Sequence, residues 1–277
     1  MQRRVPRSLA AVGWLVAVAP VAVLPGQAVP GADTAHTRAP LFTWRDAALG
    51  GGFAALTAAM FPIDRSLATR LQDSSAQSHR TLKKASVDIE YAADPGAVVI
   101  GVSLYGIGRL AGWGNVAALG LHETEAVAVS GAIETLLKGV AGRARPYLSD
   151  TTPDRFRFGR GFGNAAYQSF PSGHTTVAFA AAAVVSGEAQ RWWPRGTWLV
   201  APAAYGGATL VGLARMYNNA HWASDVALGA AIGTFTGLKV VRYAYAHPRN
   251  AVDRALLDAE VGPDPGRGVR VGWTVMR

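Results

Sequence analysis

His221 and Asp225 stand four residues apart, one helical turn, in the run Arg215-Met-Tyr-Asn-Asn-Ala-His221-Trp-Ala-Ser-Asp225. A second histidine, His174, closes Pro171-Ser172-Gly173-His174, within the stretch Ser169 to Thr176. That stretch ends a segment rich in Gly and Arg, Arg155 to Gly163, and opens an Ala-rich apolar run, Val177 to Val185. The change of composition marks a loop feeding a helix. Pro171 suits the turn and Ser172 the N-cap. Free backbone N–H groups and the positive end of the helix dipole then face an anion. Alone, a Ser-Gly turn before a helix reads equally as an ordinary cap. The stretch Lys138-Gly-Val-Ala-Gly-Arg-Ala-Arg145-Pro146 adds cations where another apolar helix ends. Together Lys138, Arg145, Arg215, Ser172 and Gly173 supply cations and donors for a phosphate, and His174, His221 and Asp225 supply two imidazoles and a carboxylate.

The elements that must position these groups are helices. Apolar patterning places them at His174 to about Gln190, Thr197 to Ala214, and Trp222 to about Tyr245. Arg191-Trp-Trp-Pro-Arg195 ends the first and starts the second. Gly139 to Phe170 reads as loop, with Arg143, Arg145, Arg155, Arg157 and Arg160 forming the wall of a phosphate pocket. For Arg155, Arg157 and Arg160 a solvated basic loop is an equal reading. Earlier, Ala47 to Ile63 is a 17-residue uncharged apolar run, Asp64 to Ser86 is polar and helical, and Gly96 to Gly108 is apolar. His122-Glu123-Thr124-Glu125 starts a helix running to Lys138, as a solvated first turn. Its spacing does not match the zinc pattern His-Glu-x-x-His, so no metal site is read there.

The chain has 277 residues, 50% hydrophobic and 16% charged, which allows one large domain with a sizeable core. A net charge of +9 and a pI of about 10.2 favour anionic partners: phosphoesters or anionic lipid surfaces. No nucleic-acid motif accompanies that charge. The absence of cysteine excludes a thiol nucleophile, a disulfide framework and a Cys-based zinc site. Residues 1–28 read as a signal peptide or N-terminal membrane anchor, with Arg3, Arg4 and Arg7 ahead of an apolar run. Residues 29–43 read as a linker, 44–246 as the domain, and 247–277 as a tail. Val269, Val271, Trp273 and Val275 alternate like a strand without an evident partner.

Three motifs occur in order over roughly Ala97 to Tyr245: Lys, three residues, Gly-Arg-x-Arg-Pro; Pro-Ser-Gly-His; and Arg, five residues, His, three residues, Asp. This resembles the signature of the type 2 phosphatidic acid phosphatase and vanadium haloperoxidase superfamily, in its lipid phosphate phosphatase branch. One departure is Ala214, where the family usually has Ser before the arginine. The resemblance implies an all-α bundle of about six or seven helices, with the active site at the ends of the core helices. It implies metal-independent phosphomonoester hydrolysis without a cofactor. His221 is then the nucleophile, Asp225 its partner and His174 the general acid; Lys138, Arg145, Ser172, Gly173 and Arg215 hold the phosphoryl group.

The implied substrate is a phosphorylated lipid, such as phosphatidic acid or an isoprenyl pyrophosphate, or else a small soluble phosphoester. A periplasmic acid phosphatase, a vanadium-dependent haloperoxidase, a lipid phosphotransferase and a non-catalytic anion-binding membrane protein are the alternatives. Oligomeric state is not readable. Arg191, Arg195, Lys239 and Arg242 lie at the helix ends away from His174, so a positive-inside bias turns the site away from the cytoplasm. The implied location is exported: periplasmic or membrane-associated. Counting every apolar run as a span puts Lys138 on the wrong side, so either the first segment or the 47–63 run does not cross.

Overall fold

The computed structural model describes residues 40–248, 250–257, 259–264 and 268–273, the last two stretches as backbone. The signal or anchor expected at 1–28, and the linker up to residue 39, lie outside the described residues. Helix α1 (Trp44–Met60) passes through a 3-10 turn into α2 (Asp64–Leu71), and the short α3 (Ser74–Gln77) leads to α4 (Arg80–Ala93). Then come α5 (Gly96–Ala111) and α6 (Gly114–Ala141), followed by a long loop. After it stand α7 (Gly173–Trp192), α8 (Thr197–Tyr217), α9 (Ala223–Ala246) and α10 (Ala251–Leu256). Among the described residues seven of these helices have 14 residues or more, and the domain is an all-α bundle.

Helix α7 is the core element, because its small residues let neighbours approach on several sides. Ala126, Ala180, Val184 and Val241 join it to α6 and α9. Phe179, Ala182, Ala208 and Ala230 join it to α8 and α9. On α9 glycines recur every four residues against α7: a methyl group at Gly233 would stand 2.1 Å from the Thr176 carbonyl oxygen, and one at Gly237 2.6 Å from that of Ala180. Only a side chain without Cβ permits that approach. The close packing sets the start of α7, with His174, beside the start of α9, with His221 just ahead of it. Asp46 of α1 accepts from Lys239 at 2.7 Å and Arg242 at 2.8 Å, clasping α1 to the far half of α9.

Three sequence expectations change. The polar stretch from Asp64 is not one helix: the Asp73 carboxylate accepts from the Ser75 N–H and restarts the chain as α3. His122 does not open a helix. Helix α6 begins at Gly114, so His122 and Glu123 lie two turns inside it and are buried. His122 Nδ1 meets Glu188 Oε1 of α7 at 2.6 Å, and the Tyr245 hydroxyl donates to Glu188 at 2.7 Å. The strand at 269–273 does have a partner: β2 (Gly268–Trp273) pairs antiparallel with β1 (Ala259–Asp264), Val271 opposite Val261. Gly262 and Pro263 had disguised β1, since both residues weaken a strand pattern.

Three stretches among the described residues are long and apolar enough to cross a membrane, by length and composition: Trp44–Leu71, Pro194–Tyr217 and Ala223–Ala246. Helix α5 is apolar but shorter, at 16 residues. It exposes Val99, Ile100, Val102, Ile107 and Leu110, and Trp193 and Trp198 are exposed between α7 and α8. Trp222, by contrast, is a core residue whose indole N–H donates to the Ala144 carbonyl at 2.9 Å.

Candidate active site

The site lies where α6, α8 and the loop between α6 and α7 meet the starts of α7 and α9. Helix α6 ends one turn past Lys138, at Gly142, whose φ of 56° turns the chain back over the bundle. The next residues run beside the 155–157 segment, through an antiparallel bridge between Arg143 and Phe156. This delivers Arg145, whose Nε donates to the Ala165 carbonyl at 3.1 Å and whose Nη1 donates to that of Ala220 at 3.3 Å. Arg215 reaches in from the last turn of α8.

His221 sits between α8 and α9 and is buried. Its Nδ1 lies 2.7 Å from the Ser169 carbonyl oxygen, an acceptor that fixes Nδ1–H as the donor. Nε2 is left as the acceptor, its lone pair turned to Arg145 Nη1 at 3.5 Å. Burial, and then Arg145, Arg215 and Lys138, push the His221 pKa well below the ordinary imidazole value. The ring is therefore neutral at physiological pH, the form that carries a nucleophilic nitrogen.

Asp225 does not bond that ring directly. Its Oδ2 is 3.6 Å from His221 Nδ1, while the Ser169 carbonyl holds the closer position. The carboxylate instead accepts from the Ser169 hydroxyl at 2.5 Å, the Trp222 N–H at 2.8 Å and Arg143 Nη1 at 2.5 Å. It thus pins the loop segment whose carbonyl holds the histidine. Arg143 is fully buried and reaches on to Asp64 of α2 at 2.7 Å and to the Ser224 hydroxyl at 2.7 Å. The rings of Phe61, Phe156, Phe170 and Trp222 stand 4.9–5.7 Å from its guanidinium carbon.

Ser172 is the N-cap residue of α7, and its backbone N–H donates to the Asp225 carbonyl at 3.0 Å. Its hydroxyl is buried and pairs with that of Thr175 at 2.8 Å. Gly173 follows at the helix start, where a methyl group would come within 2.8 Å of both Glu134 Oε1 and Lys138 Nζ. His174 faces a cavity of about 210 Å³ lined by Val87, Glu90, Tyr91 and Asp94. Burial, then Arg215, with smaller contributions from Lys138 and Arg145, push its pKa down to about 4 against the upward pull of Asp94. Lys138, Arg145 and Arg215 thus act electrostatically on both histidines, and the structure gathers every residue expected at the site.

Several participants were not legible beforehand. Glu134 pairs with Lys138 at 2.9 Å and Glu90 with Arg215 at 2.6 Å. These carboxylates balance two of the three cations. Arg215 Nε is buried and has no hydrogen-bond partner among the described residues. Asp64 and Glu90 come from α2 and α4 and Asp94 follows the end of α4, far from the motifs, and no local spacing could have marked them. Arg143 was visible only as one of several loop arginines.

Residues 121–249, which contain all eight expected site residues, match the model of the PAP2 superfamily. Over that stretch the chain is similar to the PAP2 superfamily. The chain is 44% identical to a lipid A 1-phosphatase of Porphyromonas gingivalis over 85 residues, 30% of this chain and 18% of that protein. Lipid A 1-phosphatases of Rhizobium etli and Rhizobium johnstonii are 38% identical over 134 residues and 37% identical over 127 residues. Those matches cover 47% and 44% of this chain, so the chain spans about half the length of these two relatives, 52% and 47%. The fold is shared with a solved transmembrane PAP2 type phosphatidylglycerolphosphate phosphatase from Bacillus subtilis. The TM-score is 0.54 at 19% identity, covering 76% of this chain and 99% of that one. Asp64, Glu90 and Asp94 lie ahead of the PAP2 match, so the site is completed by helices outside it.

Proposed function

We propose that the chain is a membrane-associated lipid phosphate phosphatase that hydrolyses phosphomonoesters through a phosphohistidine at His221. The observation that carries this reading is the buried His221 ring, its Nδ1–H committed to the Ser169 carbonyl and its Nε2 lone pair facing Arg145. Nε2 attacks phosphorus, the bond to the leaving oxygen breaks, and His174 gives that oxygen a proton. Water then attacks the phosphohistidine, losing a proton to His174, and phosphate leaves with His221 regenerated. Lys138, Arg145, Arg215 and the N–H of Gly173 neutralise the phosphoryl oxygens, with Ser172 at the same helix start. These cations supply the charge that a metal would otherwise bring. Asp225, held by Arg143, keeps the Ser169 segment and hence the His221 ring in place.

The names of the relatives, lipid A 1-phosphatases and a phosphatidylglycerolphosphate phosphatase, favour a phosphorylated lipid as substrate. So do the three membrane-length helices and the exposed apolar side of α5. Arg191, at the end of α7 away from His174, supports an active site facing away from the cytoplasm.

Phosphate release by purified chain in EDTA tests this reading, with phosphatidic acid in mixed micelles beside p-nitrophenyl phosphate. Release should survive EDTA and favour the lipid. In the free enzyme His174 is protonated mainly below about pH 4, so kcat/KM should fall by about tenfold per pH unit above pH 5. His174→Ala should abolish that slope. Metal-dependent release, or a wild-type profile flat from about pH 5 to 8, contradicts the assignment.

A further inference from the structure

Arg155, Arg157 and Arg160 have no part in the chemistry above, yet the fold draws them together. Their guanidinium carbons stand 5.7, 5.7 and 5.0 Å from the ring centre of a single side chain, the buried Tyr167. All three arginines are exposed. Among the described residues no carboxylate lies within ion-pair distance of any of them. Like charges gathered on one ring repel, and the ring face offsets only part of that repulsion. An anion with several acceptor oxygens would satisfy all three, and the planar fork of arginine matches phosphate.

The cluster is also fixed relative to the catalytic cations. The Ala144 N–H donates to the Arg155 carbonyl at 2.9 Å, and the Arg157 N–H to that of Gly142 at 2.9 Å. Ala166, next to Tyr167, accepts from the Arg145 N–H at 3.0 Å. Gln168 ties the other flank to the Gly161 carbonyl at 2.7 Å. One short backbone network therefore sets both the phosphate-binding Arg145 and the three-arginine cluster.

We propose that Arg155, Arg157 and Arg160, seated on Tyr167, form a second anion subsite that binds another phosphate group of the same lipid substrate. The proposal rests on the phosphatase reading for the word substrate, and it names a ligand class: lipids bearing two separated phosphates. The same phosphate chemistry is offered by headgroups of neighbouring lipids. The tie to Arg145 favours a group covalently linked to the one being cleaved.

The test measures binding to His221→Ala protein in neutral detergent micelles, where no turnover interferes. The probes are a lipid carrying two phosphates and its single-phosphate counterpart with the same acyl chains. The two-phosphate lipid should bind about tenfold tighter or better, the weight of one charge-assisted contact. That advantage should vanish when Arg155→Gln, Arg157→Gln and Arg160→Gln are combined, while single-phosphate binding stays unchanged. Equal affinity for the two lipids in the unmodified cluster overturns the proposal. So does an equal loss for both lipids in the triple variant, or an advantage abolished by adding an anionic non-substrate lipid to the micelles; either result assigns the arginines to the membrane surface. Phosphate release by wild-type chain, run in parallel, tests the phosphatase reading. Its failure with the binding advantage intact leaves an anion site without the hydrolase.

Discussion

Replacing His221 with Ala is expected to lower kcat on the order of 10⁴-fold or more, the scale seen when a covalent nucleophile is removed. Binding should survive, because Lys138, Arg145 and Arg215 and the start of α7 hold the phosphoryl group without the imidazole. Affinity for inorganic phosphate, measured by calorimetry, should therefore stay within a few-fold of wild type. The fold should survive too: the variant loses one buried hydrogen bond, to the Ser169 carbonyl, worth about 1 kcal/mol. A variant that keeps more than about a tenth of wild-type kcat would remove His221 from the nucleophile's role.

Arg143→Met is expected to have the largest effect on stability. Asp64 and Asp225 are buried, and Arg143 is the cation between them, at 2.7 and 2.5 Å. Removing it leaves two carboxylates out of water without a counter-charge. Breaking a buried ion pair in this way costs about 3–5 kcal/mol. Chemical unfolding in detergent should show that loss. It should also show that Asp64→Asn costs less in the Arg143→Met background than in wild type, with a coupling of about 1–3 kcal/mol. Activity should fall with it, because Asp225 then no longer pins the Ser169 segment against His221. Additive effects of the two substitutions would mean that Arg143 acts through its aromatic neighbours alone.

The residues proposed for catalysis and phosphate binding were legible because they are local: Lys138 to Arg145, Ser172 to His174 and Arg215 to Asp225 each lie within a few turns of chain. Their helices were legible for the same reason, since apolar runs bounded by Gly, Pro and Arg mark their own ends. The network behind them was not. Asp64 and Arg143 are separated by 79 positions, and Asp64 and Ser224 by 160, so their meeting depends on how α2 packs on α9. His122 was misplaced because Gly114, a poor helix former, gives no sign of opening a helix as long as α6. The role of Asp225 differs because the one-turn spacing brings it within 3.6 Å of the ring, while the spatially folded Ser169 carbonyl comes closer.

The central claim is the covalent step, and trapping it is the most direct measurement. Wild-type chain is mixed with ³²P-labelled phosphatidic acid, quenched within milliseconds, and digested for mass spectrometry. The account predicts a phosphoryl group on His221, labile in acid and stable in alkali, absent from His221→Ala and accumulating in His174→Ala if loss of the base slows dephosphorylation more than phosphorylation. Phosphate release without label at His221, or label on another residue, would contradict it.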